Sequence, residues 1–238
     1  MYNVIKHSKF RFYTKADAFI QITEADVMKK IISAGLMLII ILLMSGCGKA
    51  DNYYRNGRKN FFSGNYEEAA KNFASAIIEN PNKAEYYIGH GMALIGLSQY
   101  DEALRQFDRV IMDKKIPMVL ENNKRAMRGK GMAYYYMQDY EKAIEQFDKA
   151  LSLNVLPDMD LDILFYKGKA LTNTGNYKEA AATYTEIIDR FGEDAQVFAE
   201  RAYTYQNMGE YEKGLDDFDK AIGLQSNKYE YYFGKYYL

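Results

Sequence analysis

Residues 64–77 read GNYEEAAKNFASAI, and four closely similar stretches follow it along the chain. They begin at residues 98 (SQYDEALRQFDRVI), 138 (QDYEKAIEQFDKAL), 175 (GNYKEAAATYTEII) and 209 (GEYEKGLDDFDKAI). Each stretch has a tyrosine after a short polar turn, then charged residues, a small residue and an aromatic residue. The five tyrosines are 34, 40, 37 and 34 residues apart. A period in this range indicates that the chain is built from stacked repeats.

Within each stretch the apolar and small residues recur every three or four positions, which places them on one face of an α-helix. In the first stretch these residues are Tyr66, Ala69, Phe73 and Ala76. A second apolar segment precedes each stretch and carries a small residue at its middle. These small residues are Gly57, Gly91, Gly131, Gly168 and Ala202. Because glycine inside a helix costs roughly 1 kcal/mol relative to alanine, we expect a paired helix to approach closely at these positions.

This paired pattern resembles the tetratricopeptide repeat (TPR) family, whose unit is two antiparallel helices in about 34 residues. The resemblance covers residues 50 to about 228 and implies an all-α, right-handed solenoid of about five antiparallel helix pairs plus a C-terminal helix. We place the units at 50–83, 84–123, 124–160, 161–194 and 195–228, followed by a terminal capping-type helix at 229–238. Extra residues at 116–123 and 156–160 are expected to lengthen two of the connections.

The segment before the repeats is of a different kind. Residues 31–46 carry no charge, with Lys29 and Lys30 before them and Cys47, the single cysteine of the chain, directly after them. This run is short for a bilayer-spanning helix, which needs about 20 residues, but it suits the apolar core of a signal peptide. From Met28 the sequence MKKIISAGLMLIIILLMSGC resembles a bacterial lipoprotein signal, and the resemblance implies lipid attachment at Cys47.

We therefore predict a lipoprotein-type signal peptide at 28–46 and a lipid-anchored tether at 47–49. Two other interpretations stay open, namely an uncleaved anchor helix and a buried structural segment. Residues 1–27 form a polar stretch that is either an unusual leader or the result of a misassigned start. We favour a start at Met28.

The sequence gives little indication of catalysis. Its net charge of −1 points neither to nucleic acid nor to an anionic membrane surface as a partner. His90 is the single imidazole after residue 47, and we expect it to be a hydrogen-bonded histidine on the core side of its helix. No second histidine or cysteine is available there for a zinc site or a catalytic triad. We predict that the protein is not an enzyme and has no metal or cofactor.

In TPR proteins the first helices line the concave face, so the resemblance implies a binding groove there. A projection of these helices predicts the following groove residues: Tyr54, Arg58, Phe62, Ile88, Met92, Arg128, Met132, Tyr135, Phe165 and Lys169. The family's clamp for C-terminal carboxylates uses Lys, Asn and Arg along this stripe. Tyr54, Ile88 and Met92 interrupt that pattern, which argues against such a clamp. Any one of these aromatic residues could instead pack between adjacent units.

Together these features predict a membrane-anchored adaptor or scaffold of the bacterial cell envelope that faces outside the cytoplasm and binds a protein or peptide partner. One alternative is a lipoprotein that binds a small molecule or a glycan, because tyrosine rings and hydroxyls suit a sugar. Another is a membrane-anchored cytoplasmic scaffold, if residues 31–46 stay uncleaved. The aromatic segment 229–238 also allows oligomerisation through the C-terminal helix.

Overall fold

The computed structural model describes residues 48–238. The predictions for the leader at 1–27, the signal peptide at 28–46 and lipid attachment at Cys47 lie outside the described residues. Within the described part of the chain, the regular structure is helical throughout, with eleven α-helices and one short 3₁₀ helix. The predicted all-α class is therefore confirmed. None of the helices in this part combines the length and the apolarity that a membrane span requires.

The described part of α1 covers residues 48–62. The remaining helices are α2 (Tyr66–Glu79), α3 (Ala84–Gly96), α4 (Tyr100–Asp108), α5 (Pro117–Tyr136), α6 (Tyr140–Leu151), α7 (Asp160–Asn173), α8 (Tyr177–Phe191), α9 (Ala195–Met208), α10 (Tyr211–Leu224) and α11 (Tyr229–Tyr236). The 3₁₀ helix Pro157–Met159 immediately precedes α7. Odd-numbered helices are the first helix of each pair, and even-numbered helices are the second.

From α2 onward each helix packs against the next one along the chain, as antiparallel pairs joined by short turns do. Successive first helices also contact one another, from α3 to α5 and onward to α11. Among the described elements, no two successive second helices make such contacts. The first helices are therefore closer together than the second helices, and they line the inner side of a curved solenoid.

One aromatic ring from each second helix lies buried in the core. These rings belong to Phe73, Phe107, Phe147, Tyr184 and Phe218. Phe107 lies between two first helices: a Cβ atom added at Gly91 would lie 2.7 Å from its ring, and one at Gly129 would lie 2.4 Å from it. Gly91 belongs to the same unit as the ring and Gly129 to the next. A single ring thus joins the two helices of a unit to the following unit.

The close approach predicted at the mid-helix glycines is confirmed. A Cβ atom added to the glycine of a first helix would lie less than 3.0 Å from the buried aromatic ring of the second helix in the same unit. This holds for Gly57, Gly91, Gly131 and Gly168. Real Cβ atoms do not come so close to a ring, so a side chain at these positions forces the ring or the helix to move.

The fifth unit departs from the repeat at Gly214, and the structure gives a packing reason. The equivalent residues of the other units are Ala69, Ala103, Ala143 and Ala180. A Cβ atom at Gly214 would lie 3.0 Å from Cδ1 of Leu238, which folds back onto α10 after α11. The loss of one methyl group in α10 therefore makes room for a larger side chain from the C-terminal segment.

The prediction that residues 116–123 lengthen a connection is wrong, because the helix α5 begins at Pro117. α5 has 20 residues and α3 has 13, a difference of seven. α3 continues beyond Gly91 about as far as α5 continues beyond Gly131. All of the added residues of α5 therefore precede Gly131, its mid-helix glycine. Proline suits the first helical position, where its missing N–H group would have no partner. The predicted boundary between residues 123 and 124 thus falls inside α5.

The second lengthened connection, between α6 and α7, is fixed by a buried lysine. Lys124 Nζ donates hydrogen bonds to the backbone oxygens of Leu153 (3.2 Å) and Val155 (2.6 Å) and to Asp160 Oδ1 (2.5 Å). Its side chain is only 1% exposed. The other Asp160 oxygen accepts a hydrogen bond from Arg190 at 2.6 Å. Since a buried charge is costly unless it is paired, this set of partners fixes the path of the connection.

His90 is half-buried in α3 and shares a hydrogen bond with the side chain of Gln106. Its Nδ1 atom is buried and has no hydrogen-bond partner. Burial lowers the pKa of His90, although the Gln106 hydrogen bond and the charge of Glu102 act in the opposite direction. The neutral imidazole is therefore the form that the fold favours.

We expect Gly131→Ala to lower the free energy of unfolding by about 1–3 kcal/mol, because overpacking outweighs the gain in helix propensity. The new Cβ atom would lie 2.4 Å from Cε1 of the fully buried Phe147 ring. Gly223→Ala in α10 is the matched control, since no atom lies within 4 Å of that position. There the same change should raise stability by up to about 1 kcal/mol. Urea denaturation measures the free energy of unfolding of both variants. An equal change in the two would contradict the packing explanation.

The lowered pKa of His90 predicts that stability falls as the pH drops below about 6.5, the ordinary pKa of histidine. Below that value the unfolded chain binds a proton that the folded chain resists, so acid favours unfolding until the folded pKa is passed. His90→Gln should reduce this pH dependence. Urea midpoints for both proteins at pH 7.5 and about pH 5 give the comparison. If the two proteins lose stability equally, His90 does not carry the effect.

Candidate functional site

A cleft of about 350 Å³ opens on the inner face of the first three units, where their first helices end. Its walls come from α1, α3 and α5 and from the turns that lead into α2 and α4. The lining residues are Phe61, Tyr66, Met92, Ile95, Gly96, Ser98, Tyr100, Met132 and Tyr136. None of them is charged, and their polar side-chain groups are hydroxyls. This chemistry suits a ligand group held by packing against rings and thioethers.

The turn tyrosines and one glycine shape this cleft. A Cβ atom at Gly96 would lie 2.5 Å from the ring of Tyr66, so the ring can lie against the end of α3 only because Gly96 has no side chain. Ser98, in the turn before α4, has a positive φ of 59°, which turns the chain so that α4 begins at Tyr100. The rings of Tyr100 and Tyr136 then stack across two units, with centroids 6.3 Å apart and planes 10° apart.

Two methionines of the predicted stripe, Met92 and Met132, come together in this cleft. Met132 is only 8% exposed and belongs to the core, so it forms the floor of the cleft rather than a free surface. Tyr135 is not among the lining residues. Its ring packs edge-on against Tyr140 and Tyr166, with centroids 5.6 and 5.5 Å away. Burial raises the pKa of Tyr135.

Tyr136, the next residue, reaches the cleft and is 42% exposed. Its hydroxyl lies 3.2 Å from that of Tyr166 in α7. Ile88, a turn before Met92 in α3, is half-buried and packs against the buried core residues shared by units two to four. Of the predicted apolar residues of units two and three, Met92 and Met132 line the cleft. Ile88 and Tyr135 pack within the solenoid instead.

The predicted groove residues of unit one form a separate group. The ring of Tyr54 packs against Tyr86 of the next unit and Phe73 of its own, at centroid distances of 5.1 and 5.7 Å. Arg58 is exposed and lies over the rings of Tyr54 and Phe62, at 5.9 and 5.7 Å. Phe62 is 76% exposed. Tyr54 thus packs between units, whereas Phe62 is free for contact.

Two of the three predicted cations of the groove are already paired across units. Arg128 of α5 forms an ion pair with Asp162 of α7. Lys169 of α7 pairs with Glu200 of α9 at 3.0 Å. Burial opposes the charge of Lys169, but the Glu200 carboxylate raises its pKa overall. These cations hold neighbouring first helices together, and a partner would have to compete for them.

A second cleft, of about 340 Å³, lies between units four and five and includes the predicted residue Phe165. Lys169 lies over the Phe165 ring at 5.7 Å. Leu161 and Phe191 add apolar walls, and Asp194 at the rim caps α9 by accepting a hydrogen bond from the Gln196 N–H at 2.8 Å. The projection of single helices missed this cleft because half of its lining comes from α8 and the turn after it.

Metal-binding chemistry has no candidate in residues 48–238, where no group of three or more His, Cys, Asp or Glu side chains could hold an ion. The inner face offers aromatic, methionine and paired ionic side chains instead. The arrangement can bind a partner through packing and a few hydrogen bonds.

Comparison with known proteins gives the same architecture. One family profile described as a tetratricopeptide repeat matches residues 54–117 and 128–195, and a second with that description matches residues 195–228. A stretch of 58 residues is 40% identical to Hsp70-Hsp90 organizing protein 1 of Glycine max. That match covers 24% of this chain and only 10% of the relative, so the two are comparable over a small part of the plant protein.

Solved structures with the same fold cover most of both chains. The crystal structure of YrrB, described as a TPR protein with an unusual peptide-binding site, is 21% identical with a TM-score of 0.58, covering 78% of this chain and 91% of that one. A double mutant of MamA RS-1 is 17% identical with a TM-score of 0.62, covering 76% and 97%. At these identities the likeness shows the fold alone. The family profiles match well over half of the sequence, and the chain belongs to the tetratricopeptide repeat family.

Proposed function

We propose that this protein is a membrane-anchored adaptor of the bacterial cell envelope that holds a peptide or protein partner at its inner face. The observation that carries the proposal is the cleft between the first three units. Its walls are apolar and aromatic, none of its lining residues is charged, and about 350 Å³ is left open. A cleft of this size accepts one or two apolar side chains of a partner.

The chemistry of the cleft favours a polypeptide partner. Methionine adapts to different side-chain shapes, and tyrosine gives contact area at a low cost in conformational entropy. Met92 lies in one wall and Tyr136, stacked on Tyr100, in another. The fold is shared with YrrB, a protein described as having a peptide-binding site. Binding energy is expected to concentrate in these central residues.

The anchor is the second part of the proposal. Cys47 follows the apolar run 31–46 in the pattern of a bacterial lipoprotein signal, and lipid on this cysteine would attach the solenoid to the membrane outside the cytoplasm. Stable attachment takes more than one acyl chain, because a single chain gives only marginal binding. A cytoplasmic scaffold held by an uncleaved helix 31–46 is the competing arrangement.

A glycan or small molecule is the second candidate ligand. Tyr66, Tyr100 and Tyr136 line the cleft, and their rings could stack on the apolar faces of a sugar. The cleft contains no carboxylate or carboxamide side chain to bond the remaining hydroxyls of a sugar. For this reason we favour the polypeptide.

A photo-crosslinking amino acid in place of Tyr136 should capture a protein partner in intact cells. The same amino acid at Ala182, exposed on the second helix α8, is the matched control. Adducts should form at 136 and not at 182, and their mass should increase by that of a polypeptide. Labelling at both positions, or at neither, would contradict a partner in the cleft. Binding to a glycan array that Tyr136→Ala abolishes would favour the second candidate.

The double change Met92→Ala, Tyr136→Ala should weaken capture of the crosslinked partner at least tenfold, about 1.4 kcal/mol. Both side chains line the cleft, and neither is fully buried. Circular dichroism and the melting temperature test whether the fold is preserved. Phe62→Ala is the control, since Phe62 is 76% exposed and lies outside the cleft lining. Normal capture by the double variant would exclude the cleft as the binding site.

We expect Cys47→Ser to move the protein from the detergent phase to the aqueous phase on Triton X-114 partitioning. The wild-type protein should carry fatty acid on Cys47 as its first residue, as mass spectrometry can establish. A variant that stays in the detergent phase, with residues 31–46 still present, would instead support the uncleaved cytoplasmic anchor.

A further inference from the structure

The two edges of the solenoid differ in what they expose. First helices run parallel to one another, so they all begin at one edge and end at the other. The cleft lies at the edge where they end, bordered by Phe61 and Tyr136. Lys49, two residues after Cys47 in the sequence, lies at the opposite edge, near the beginning of α1. We call this opposite edge the anchor edge.

Four exposed apolar side chains lie at the anchor edge of the first three units, and Phe62, Tyr136 and Met137 are exposed at the opposite edge. Ile78, at the end of α2, is 81% exposed. Met112, Ile116 and Met118 are 49%, 53% and 69% exposed. The last three belong to one short segment, residues 112–118 with the sequence MDKKIPM, which we call the α5 tip.

The α5 tip projects beyond its neighbours. α5 has seven more residues than α3, all before its mid-helix glycine, and at 1.5 Å per residue they extend the anchor edge by about 10 Å. Asn123 holds the chain that leads to the tip: its side chain accepts a hydrogen bond from the Met112 N–H (3.0 Å) and donates one to the Met112 carbonyl (2.7 Å). These two hydrogen bonds fix the chain at the base of the projection, and the apolar side chains of the tip are exposed.

The charges of the α5 tip suit a phospholipid surface. Lys114 and Lys115 lie between Met112 and Ile116, and neither forms an ion pair with another described residue. Asp113 is the one acidic residue of the tip, so the tip is net positive. Apolar side chains flanking unpaired lysines are typical of segments that lie in the headgroup region, where lysine meets lipid phosphate.

We propose that the α5 tip is a second membrane contact, which inserts Ile116 and Met118 into the headgroup region of the bilayer that holds the lipid on Cys47. This inference rests on the proposed lipid anchor. With first helices packed about 8–10 Å apart, α5 stands about 20 Å from α1, so the tip and the anchor reach the same surface. The contact fixes the orientation of the solenoid and points the cleft away from the membrane.

The chain contains no tryptophan, so a single introduced indole reports its own surroundings. Met118→Trp places it at the α5 tip, and Met137→Trp, at the opposite edge and 40% exposed in the natural chain, is the matched control. The full-length lipidated variants are bound to vesicles of phosphatidylethanolamine and phosphatidylglycerol, with or without brominated acyl chains. Flotation first establishes that each variant is bound.

The expected result is a blue shift and bromine quenching of emission for Met118→Trp, and neither change for Met137→Trp. If both variants float but the tip indole is unquenched, or both indoles are quenched alike, the tip is not a membrane contact, although the anchor stands. An unquenched tip would leave it free for a protein partner. If neither variant floats, the lipid anchor and this inference both fail.

Discussion

The structure depends on one repeated contact, in which an aromatic ring of a second helix lies against the glycine of its own first helix. This contact occurs in the first four units, and the rings of Phe73 and Phe107 also reach the next first helix. Phe107 touches the backbone of both Gly91 and Gly129, so one side chain joins a helix pair and fixes the stacking of two units. Glycine costs helix stability at each position, roughly 1 kcal/mol relative to alanine, and the buried ring offsets that cost. Where the next helix brings Tyr166 instead of glycine, Phe147 packs against its ring with centroids 6.5 Å apart. The repeat thus tolerates a different neighbour while the ring itself stays buried.

The features that could be predicted are those that depend on contacts within one repeat. The turn tyrosine, the aromatic ring of the second helix and the small residue in the middle of the first helix recur in register, and together they predict the helix pairs. The start of α5 could not be predicted in this way, because residues 116–123 fit a loop and a helix about equally well by composition. The contacts that decide it are distant in sequence. The Asn123 side chain forms hydrogen bonds with the backbone of Met112, and Lys124 donates hydrogen bonds to the α6–α7 connection, about thirty residues away. No local pattern carries that information.

The candidate site shows the same division. A helical projection gives the direction of a side chain but not its depth, which depends on the neighbouring units. Met132 lies on the inner face, as the projection predicts, but only 8% of it is exposed. Tyr136, one turn further along α5, is more exposed and lines the cleft. The cleft itself exists because Gly96 leaves room for Tyr66. Arg128 and Lys169 were predicted as groove residues, but two carboxylates of the following units pair with them, namely Asp162 and Glu200.

Because the first helices are parallel, the proposed membrane contact and the proposed binding cleft lie at opposite edges of the solenoid. Because each first helix crosses the solenoid from the anchor edge to the cleft edge, the length of a first helix sets the distance between membrane and partner. α3 has 13 residues, which corresponds to about 20 Å at 1.5 Å per residue. The α5 tip adds about 10 Å on the anchor side, since all of its extra residues precede Gly131. A partner held in the cleft would therefore be kept well clear of the lipid headgroups, and lengthening α5 at its beginning changes that distance without altering the cleft.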